Sequence, residues 1–255
     1  MKLLLDNLNG IRKDFLDQEN DYLLVVDGRE GSGKSSLALQ LAEYIDPEFC
    51  VSKIAFSGRE FLNIIGTVKD GSAVVFDEAA EGLYSAESLT PLNISISKAL
   101  MISRVKRLFI IIVIPSFFVL NKYVKLFRLG LLLHVEDRGH VAIYSHHKNM
   151  IRKLVIDGQK YYDYTTVHTP YHDDYPKYHG LLWPEYMQKK LSYVHDSLGK
   201  KETKKYLSLN ACAAELGVST TYVKKRITEG IIKPIITKTG YFKIDMAQVK
   251  EAIGL

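Results

Sequence analysis

Residues 27 to 36 read Asp-Gly-Arg-Glu-Gly-Ser-Gly-Lys-Ser-Ser, directly after the apolar run Tyr22-Leu-Leu-Val-Val26. Glycines at this spacing let a backbone wrap closely around an anion and aim successive N–H groups inward. If the apolar run is a strand and the following "KSSLALQLAEYI" a helix, the helix N-terminus adds partial positive charge at the same place. The spacing satisfies G-x-x-x-x-G-K-[ST], in which Lys34 reaches the β- and γ-phosphates of a nucleoside triphosphate and the Ser35 hydroxyl holds Mg²⁺. Gly28, Arg29, Glu30, Gly31, Ser32, Gly33, Lys34, Ser35 and Ser36 are therefore the expected nucleotide-binding residues. The alternative is a glycine-rich turn with an unrelated lysine, and the strand–loop–helix context argues against it.

Such a cradle needs an acid on a nearby strand to complete the metal site. "AVVFDEA" supplies one: Asp77 for the Mg²⁺ shell, with Glu78 next to it to polarise the attacking water. Paired acids favour hydrolysis over phosphate transfer to a small acceptor. Two acids opening a loop is the blander reading. Further along, "RLFIIIVIPS" ends in Ser116, placed either to touch the γ-phosphate or water, or simply to cap the next helix. Hydrolysis also needs positive charge on the transferring phosphate, which ring-forming enzymes often draw from a neighbouring subunit. Arg104 and Arg128 are preferred for that role, because each lies near a core strand; Arg107 and the loop's own Arg29 are also available. ATP and Mg²⁺ are the expected cofactors.

These residues need a scaffold that brings them together. From Tyr22 the chain alternates apolar runs with helical periodicity: strands at 22–27, 53–57, 72–79 and 107–116, helices between them, a helix at 117–128, and two strands around the turn Asp137-Arg138-Gly139. Fully apolar strands alternating with helices predict an α/β core at 22–145, a mainly parallel central sheet flanked by helices. Residues 1–21 read as a lead-in. Residues 146–199 are rich in Tyr, His and Pro without clean periodicity, and read as an extended arm anchored by Trp183. His134, His140, His146 and His147 read as sheet-surface histidines rather than metal ligands, and Tyr161, Tyr162 and Tyr164 as packing aromatics rather than base-stacking ones. A polar basic linker then leads into a small domain, 200–255.

That last segment is the second chemical signal. Residues 201–255 hold ten Lys/Arg against five Asp/Glu, a balance of +5, which equals the whole chain's net charge. A localised basic excess suits an anionic polymer, or is merely a solvated tail. In "YLSLNACAAELGVSTTYVKKRITEGIIKPIITKTGYFKI", Ser208 or Asn210 can cap a helix through Leu216. Gly217-Val218-Ser219 forms a turn, and Ser219 or Thr220 caps a second helix to about Gly230. Leu209, Ala213, Leu216, Val218, Val223 and Ile227 are spaced to bury between the two. The spacing Leu216-Gly-Val-Ser219, Val223, Ile227, Gly230, Ile231 resembles excisionase and MerR-type winged helix-turn-helix domains, with "KPIITKTGYFKI" as the wing. The resemblance puts the second helix in the major groove. It makes Ser219, Thr220, Thr221, Tyr222, Lys224, Lys225 and Arg226 the DNA-binding residues, with Lys233 and Lys238 on the flanking backbone. A protein-contact domain is the alternative.

The bulk composition is that of a soluble globular chain: 255 residues, 47% hydrophobic and 25% charged. "MKLLLDNLNG" is too short in apolar residues for a secretory signal, and "LFIIIVIPSFFVL" is too short and interrupted to span a bilayer. Cys50 and Cys212 form no pattern, which implies a reducing compartment, read as cytoplasmic, and no structural zinc.

"GREGSGKSS", "VVFDEA" and "SRVKRLFIIIVIPSFFVLNKYVKLFR" together make the core resemble the additional-strand division of P-loop NTPases. Within it the core is most similar to FtsK–HerA DNA translocases and the related zonular occludens toxin-like and viral genome-packaging ATPases. Ser116 stands where many relatives carry glutamine. The resemblance implies an ATP-driven DNA motor or loading factor of a virus or mobile element, acting as a homo-oligomeric ring, a hexamer by expectation. Unlike in the filamentous-phage assembly proteins, no transmembrane helix follows the core, so no membrane span is expected. An ATP-gated regulator of replication or transcription is the alternative. A small-molecule kinase is disfavoured by the acid pair and the basic C-terminal segment.

Overall fold

The structure, a computed structural model, describes residues 4–6, 8–10, 21–79, 83, 90–199, 206–215, 218–232, 234–236 and 242–245. Two compact units divide it, at Met1–Lys190 and Leu191–Leu255.

The first unit is built on seven strands. They are β1 (Tyr22–Gly28), β2 (Ile54–Ala55), β3 (Ala73–Phe76), β4 (Phe109–Val113), β5 (Leu129–Asp137), β6 (His140–Ser145) and β7 (Tyr171–Asp174). Their order is β2-β3-β4-β1-β5-β6-β7. The first five are parallel, and β6 and β7 are added antiparallel. A central parallel strand is covered on both faces and so must be apolar throughout. "YLLVV" and "FIIIV" meet that demand, and the side chains of Leu23–Val26 and Phe109–Val113 are buried. Each such side chain contributes roughly 1.5–3 kcal/mol of burial. The order places β4 between β1 and β3, so one strand stands between the two that carry the motifs. All parallel strands end at one edge, so the residues following β1, β3 and β4 meet there.

Helices cover both faces. α1 (Lys34–Ile45) packs on β1, β3 and β4. α2 (Gly58–Thr67) and α3 (Pro91–Ile102) pack together over the cluster that contains Leu23, Val25, Val74 and Phe76. α2 starts where Ser57 Oγ accepts from Glu60 N at 3.3 Å, while the Glu60 carboxylate takes Phe56 N at 2.9 Å, a reciprocal cap. α3 starts at Thr90, with Pro91 in its first turn.

Two expectations need correction. Residues 117–128 are not one helix. Ser116 starts a single 3-10 turn, Phe117–Val119, the chain straightens, and Asn121 Oδ1 accepts Val124 N at 2.9 Å to begin a π-type turn, Val124–Arg128. Nor are residues 146–199 only an extended arm. They contain a helical turn at Met150–Lys153, strand β7, which continues the sheet, and α4 (Leu182–Gly199). Pro184 occupies the first turn of α4, where its missing N–H costs nothing. Among the residues of α4 in the first unit only Leu182 and Tyr186 are buried, too few to set a visible period. Trp183 packs on Tyr178 and Tyr186, within the same segment.

The second unit holds α5 (Leu209–Glu215), α6 (Thr220–Thr228) and an antiparallel sheet of β8 (Tyr206–Leu207), β10 (Phe242–Asp245) and β9 (Ile235–Ile236), in that order. Its core is Cys212, Ala213, Val223, Ile232 and Ile244, with Leu209, Val218 and Ile227 against it. Ser208 Oγ accepts Ala211 N, and Ser219 Oγ accepts Tyr222 N at 3.2 Å, so both serines cap their helices. Leu216, Lys233 and Lys238 lie outside the described residues.

Candidate functional site

The site lies where β1, β3 and β4 end. Gly28, Gly31 and Gly33 all take positive φ, +138°, +74° and +101°. At Gly28 the demand is also steric, since a Cβ there would stand 2.4 Å from the Val135 carbonyl oxygen on β5. Gly33 immediately precedes α1 and offers no side-chain cap. The first N–H groups of that helix are therefore left for the loop's concavity, an anion-binding arrangement. Lys34 folds back across the loop, its Nζ donating to the carbonyls of Gly28 (2.8 Å) and Arg29 (2.6 Å). Burial lowers the Lys34 pKa, while Asp27, Glu78, Asp77 and Glu30 push it the other way. Ser32 Oγ is buried in the loop without a hydrogen-bond partner.

The acids close the other side. Asp77 is buried just past β3, and Glu78 is exposed with φ +60°, a left-handed conformation that turns the chain sharply after the strand. Ser35 Oγ donates to Asp77 Oδ2 at 3.1 Å, so the hydroxyl and carboxylate expected to share a metal stand side by side. Glu78 N bonds Asp77 Oδ1 at 3.1 Å, fixing the carboxylate's other oxygen. This donor set fits Mg²⁺: one hydroxyl, one buried carboxylate, hard oxygen ligands, and a neighbouring backbone cradle for phosphate.

Several residues reach this site that sequence reasoning missed. From α4, Tyr186 donates its hydroxyl to Asp77 Oδ2 at 2.5 Å, and Lys190 Nζ lies 3.2 Å from the same oxygen and 3.0 Å from Glu78 Oε1. Burial works against the Lys190 charge, but the Asp77 and Glu78 carboxylates outweigh it and its pKa is raised. Burial, then Asp77, raises that of Tyr186. The stretch after β7 braces the loop. Tyr175 OH donates to Ser32 O at 3.3 Å, Tyr178 N donates to Ser36 Oγ at 3.3 Å, and Gln40 Nε2 donates to Pro176 O at 3.0 Å. Arg138, in the β5–β6 turn, donates to Gly31 O at 3.0 Å. Arg29 and Glu30 are exposed and line a cleft with Glu136, Asp137, Arg138 and His140.

Behind the loop sits Asp27, fully buried. Its Oδ2 accepts Phe117 N at 2.6 Å and the Tyr164 hydroxyl, and its Oδ1 meets His134 Nδ1 at 2.9 Å. His134 and Tyr164 stack with ring centroids 3.9 Å apart. Asp27 thus ties the base of the phosphate loop to the end of β4. The only sequence signal was a charge closing an apolar run, which a buried acid permits only when its oxygens are all bonded.

The remaining expected residues fall as follows. Ser116 is half-buried, and its Oγ accepts Phe118 N at 3.3 Å, the capping arrangement. Arg104 and Arg128 precede β4 and β5, on the sheet edge opposite the loop. Arg104 is exposed. Arg128 is not free to serve another subunit as it stands. Both its terminal nitrogens bond Asp21, and its side chain is only 15% exposed. In the second unit, Ser219, Thr221, Tyr222, Lys224 and Lys225 are exposed, and Thr220 and Arg226 half-exposed, on or just before α6. Arg226 is engaged by the Tyr222 hydroxyl and Glu229. Among the described residues no cluster of three metal-ligating side chains occurs, and no helix is long and apolar enough to cross a membrane.

No protein-family model matches the chain, and no curated protein sequence matches it. Solved structures to which it is similar include the N-terminal domain of zonular occludens toxin from Neisseria meningitidis, 13% identical, with 62% of this chain and 95% of that chain covered and a TM-score of 0.41. The genome packaging NTPase B204 from Sulfolobus turreted icosahedral virus 2, in complex with ATP-gammaS, is 16% identical over 51% of this chain and 94% of that one, with a TM-score of 0.38. A point variant of RuvB from Thermotoga maritima is 13% identical over 100% of this chain and 94% of that one, with a TM-score of 0.37.

Proposed function

We propose that this chain is a Mg²⁺-dependent ATPase that works on DNA, moving, packaging or transferring it, with its C-terminal unit as the DNA reader. One observation carries the enzymatic part: Ser35 Oγ and Asp77 Oδ2 stand 3.1 Å apart at the mouth of a left-handed glycine loop, with Glu78 beside them. Loop amides and Lys34 would bind the β- and γ-phosphates once Lys34 exchanges its two carbonyl partners for phosphate oxygens. Ser35 and Asp77 would hold Mg²⁺, which neutralises charge on those oxygens. Glu78, exposed beside them, takes the proton of the water that attacks the γ-phosphorus. The buried Asp27, whose Oδ2 accepts Phe117 N, holds the base of the loop against the end of β4.

The DNA part is supported by the exposed face of α6, where hydroxyls and two lysines lie within a basic segment. A homo-oligomeric ring, a hexamer by expectation, would supply the missing positive charge in trans, and the exposed Arg104 suits that better than the paired Arg128. Phosphate release from ATP, measured with and without duplex DNA alongside particle mass, tests the proposal. DNA-stimulated turnover by an oligomer supports it; unstimulated turnover by a monomer removes the motor. Tight binding of one DNA sequence, with nucleotide changing the affinity, would favour a regulator instead.

A further inference from the structure

The mechanism above leaves Lys190 without a task, although it touches both acids. It comes from α4, 113 residues away in sequence from Asp77. Its ammonium stands against Asp77 Oδ2, Glu78 Oε1 and the Tyr186 hydroxyl, at 3.2, 3.0 and 3.3 Å. Asp77 Oδ2 already takes the hydroxyls of Ser35 and Tyr186, so three donors share one carboxylate oxygen. Its lone pairs are saturated. A divalent ion between Ser35 and Asp77 would need those lone pairs and would bring two positive charges beside a third. The ammonium and the metal are rivals for one oxygen.

Resting on the nucleotide reading above, we propose that Lys190 is a tethered cation that occupies the acid pair until a divalent metal displaces it, and so sets how much metal the site requires to bind nucleotide. The helix that carries it has anchors of its own. Lys189 pairs with Glu60 at 2.7 Å and donates to the carbonyls of Val51 and Ile54, and Tyr186 packs on Phe56 with centroids 5.7 Å apart. Lys190 can therefore leave the acids, or be replaced, without α4 undocking.

Two probes on the full chain test this: Mn²⁺ bound in the presence of ADP, read by the loss of the free-ion electron paramagnetic resonance signal, and fluorescence of a MANT-ADP titration in EDTA. Lys190→Met should lower the Mn²⁺ midpoint on the order of tenfold, the scale of a typical coupling between two sites. It should not raise the affinity for MANT-ADP without metal. Lys190→Arg, which keeps the charge, should stay near the wild-type midpoint, and far-ultraviolet circular dichroism with a melting curve checks that both variants are folded. A Lys190→Met midpoint that is unchanged or higher, in a folded protein that binds MANT-ADP, overturns the inference and leaves the nucleotide reading standing. If Lys34→Ala binds MANT-ADP as tightly as wild type and also turns over ATP, the nucleotide reading itself fails and the inference falls with it.

Discussion

Glu78→Gln separates the chemical role of this acid from its structural one. Gln keeps the size of the side chain and the backbone at φ +60°, and removes only the charge and the basic oxygen. The structural loss is the ion pair with Lys190, 3.0 Å long, in which Glu78 is 55% exposed and Lys190 26%. A pair so open to water is worth at most about 1 kcal/mol. Lys190 also keeps its contact with Asp77. In a chain of this length such a loss lowers the melting temperature by about 2–4 °C at most. The chemical loss is of another order, since removing a general base slows turnover by roughly 10²–10⁴-fold. The assay is phosphate release at saturating ATP, with ATP binding and a melting curve on the same preparation. The expected result is a folded protein that binds ATP and barely hydrolyses it. Turnover within about threefold of wild type would show that Glu78 does not activate the water.

Three further substitutions have expected outcomes. Lys34→Ala removes the ammonium that spans the loop and should abolish ATP binding or turnover while the melting curve stays close to wild type; surviving turnover would mean that the loop does not hold the phosphates. Gly28→Ala places a methyl 2.4 Å from the Val135 carbonyl oxygen at φ +138°, and urea unfolding should show a loss of roughly 2–5 kcal/mol from backbone strain and overpacking. Lys125 is buried, with Nζ donating to Phe118 O and Gln159 Oε1, and burial pulls it down to about 8 from 10.5. Between those values the unfolded chain binds more protons, so stability should rise with pH from about 8 to about 10.5, and urea midpoints should lose that rise in Lys125→Met.

The parts of the site that were legible in sequence are those a few neighbouring residues specify. Residues 28–35 and 77–78 carry their chemistry in local spacing, because the loop conformation depends on glycines at fixed offsets and the acids simply follow an apolar run. That the core is a mainly parallel sheet was legible for a similar reason: fully apolar runs alternating with helices demand strands covered on both faces. What stayed hidden arrives from far along the chain. Tyr175, Tyr178, Tyr186 and Lys190 brace the loop or contact the acids from a segment whose burial pattern has no clean period and whose helix opens with Pro184. A lysine on a half-exposed helix looks like a solvated surface charge until the fold brings it against Asp77. The Asp21–Arg128 pair was equally invisible, since each residue taken alone borders an apolar strand and could face water.

The most direct test of the central claim, that this loop and these acids jointly hold a metal-bound triphosphate, is a crystal structure of the protein with Mg²⁺ and a non-hydrolysable ATP analogue. The phosphates should lie within the amides of residues 28–35, with Ser35 and Asp77 on the metal, Glu78 turned towards the γ-phosphate and Lys190 withdrawn from Asp77. A triphosphate bound elsewhere, or Asp77 and Glu78 facing away from it, would contradict the claim.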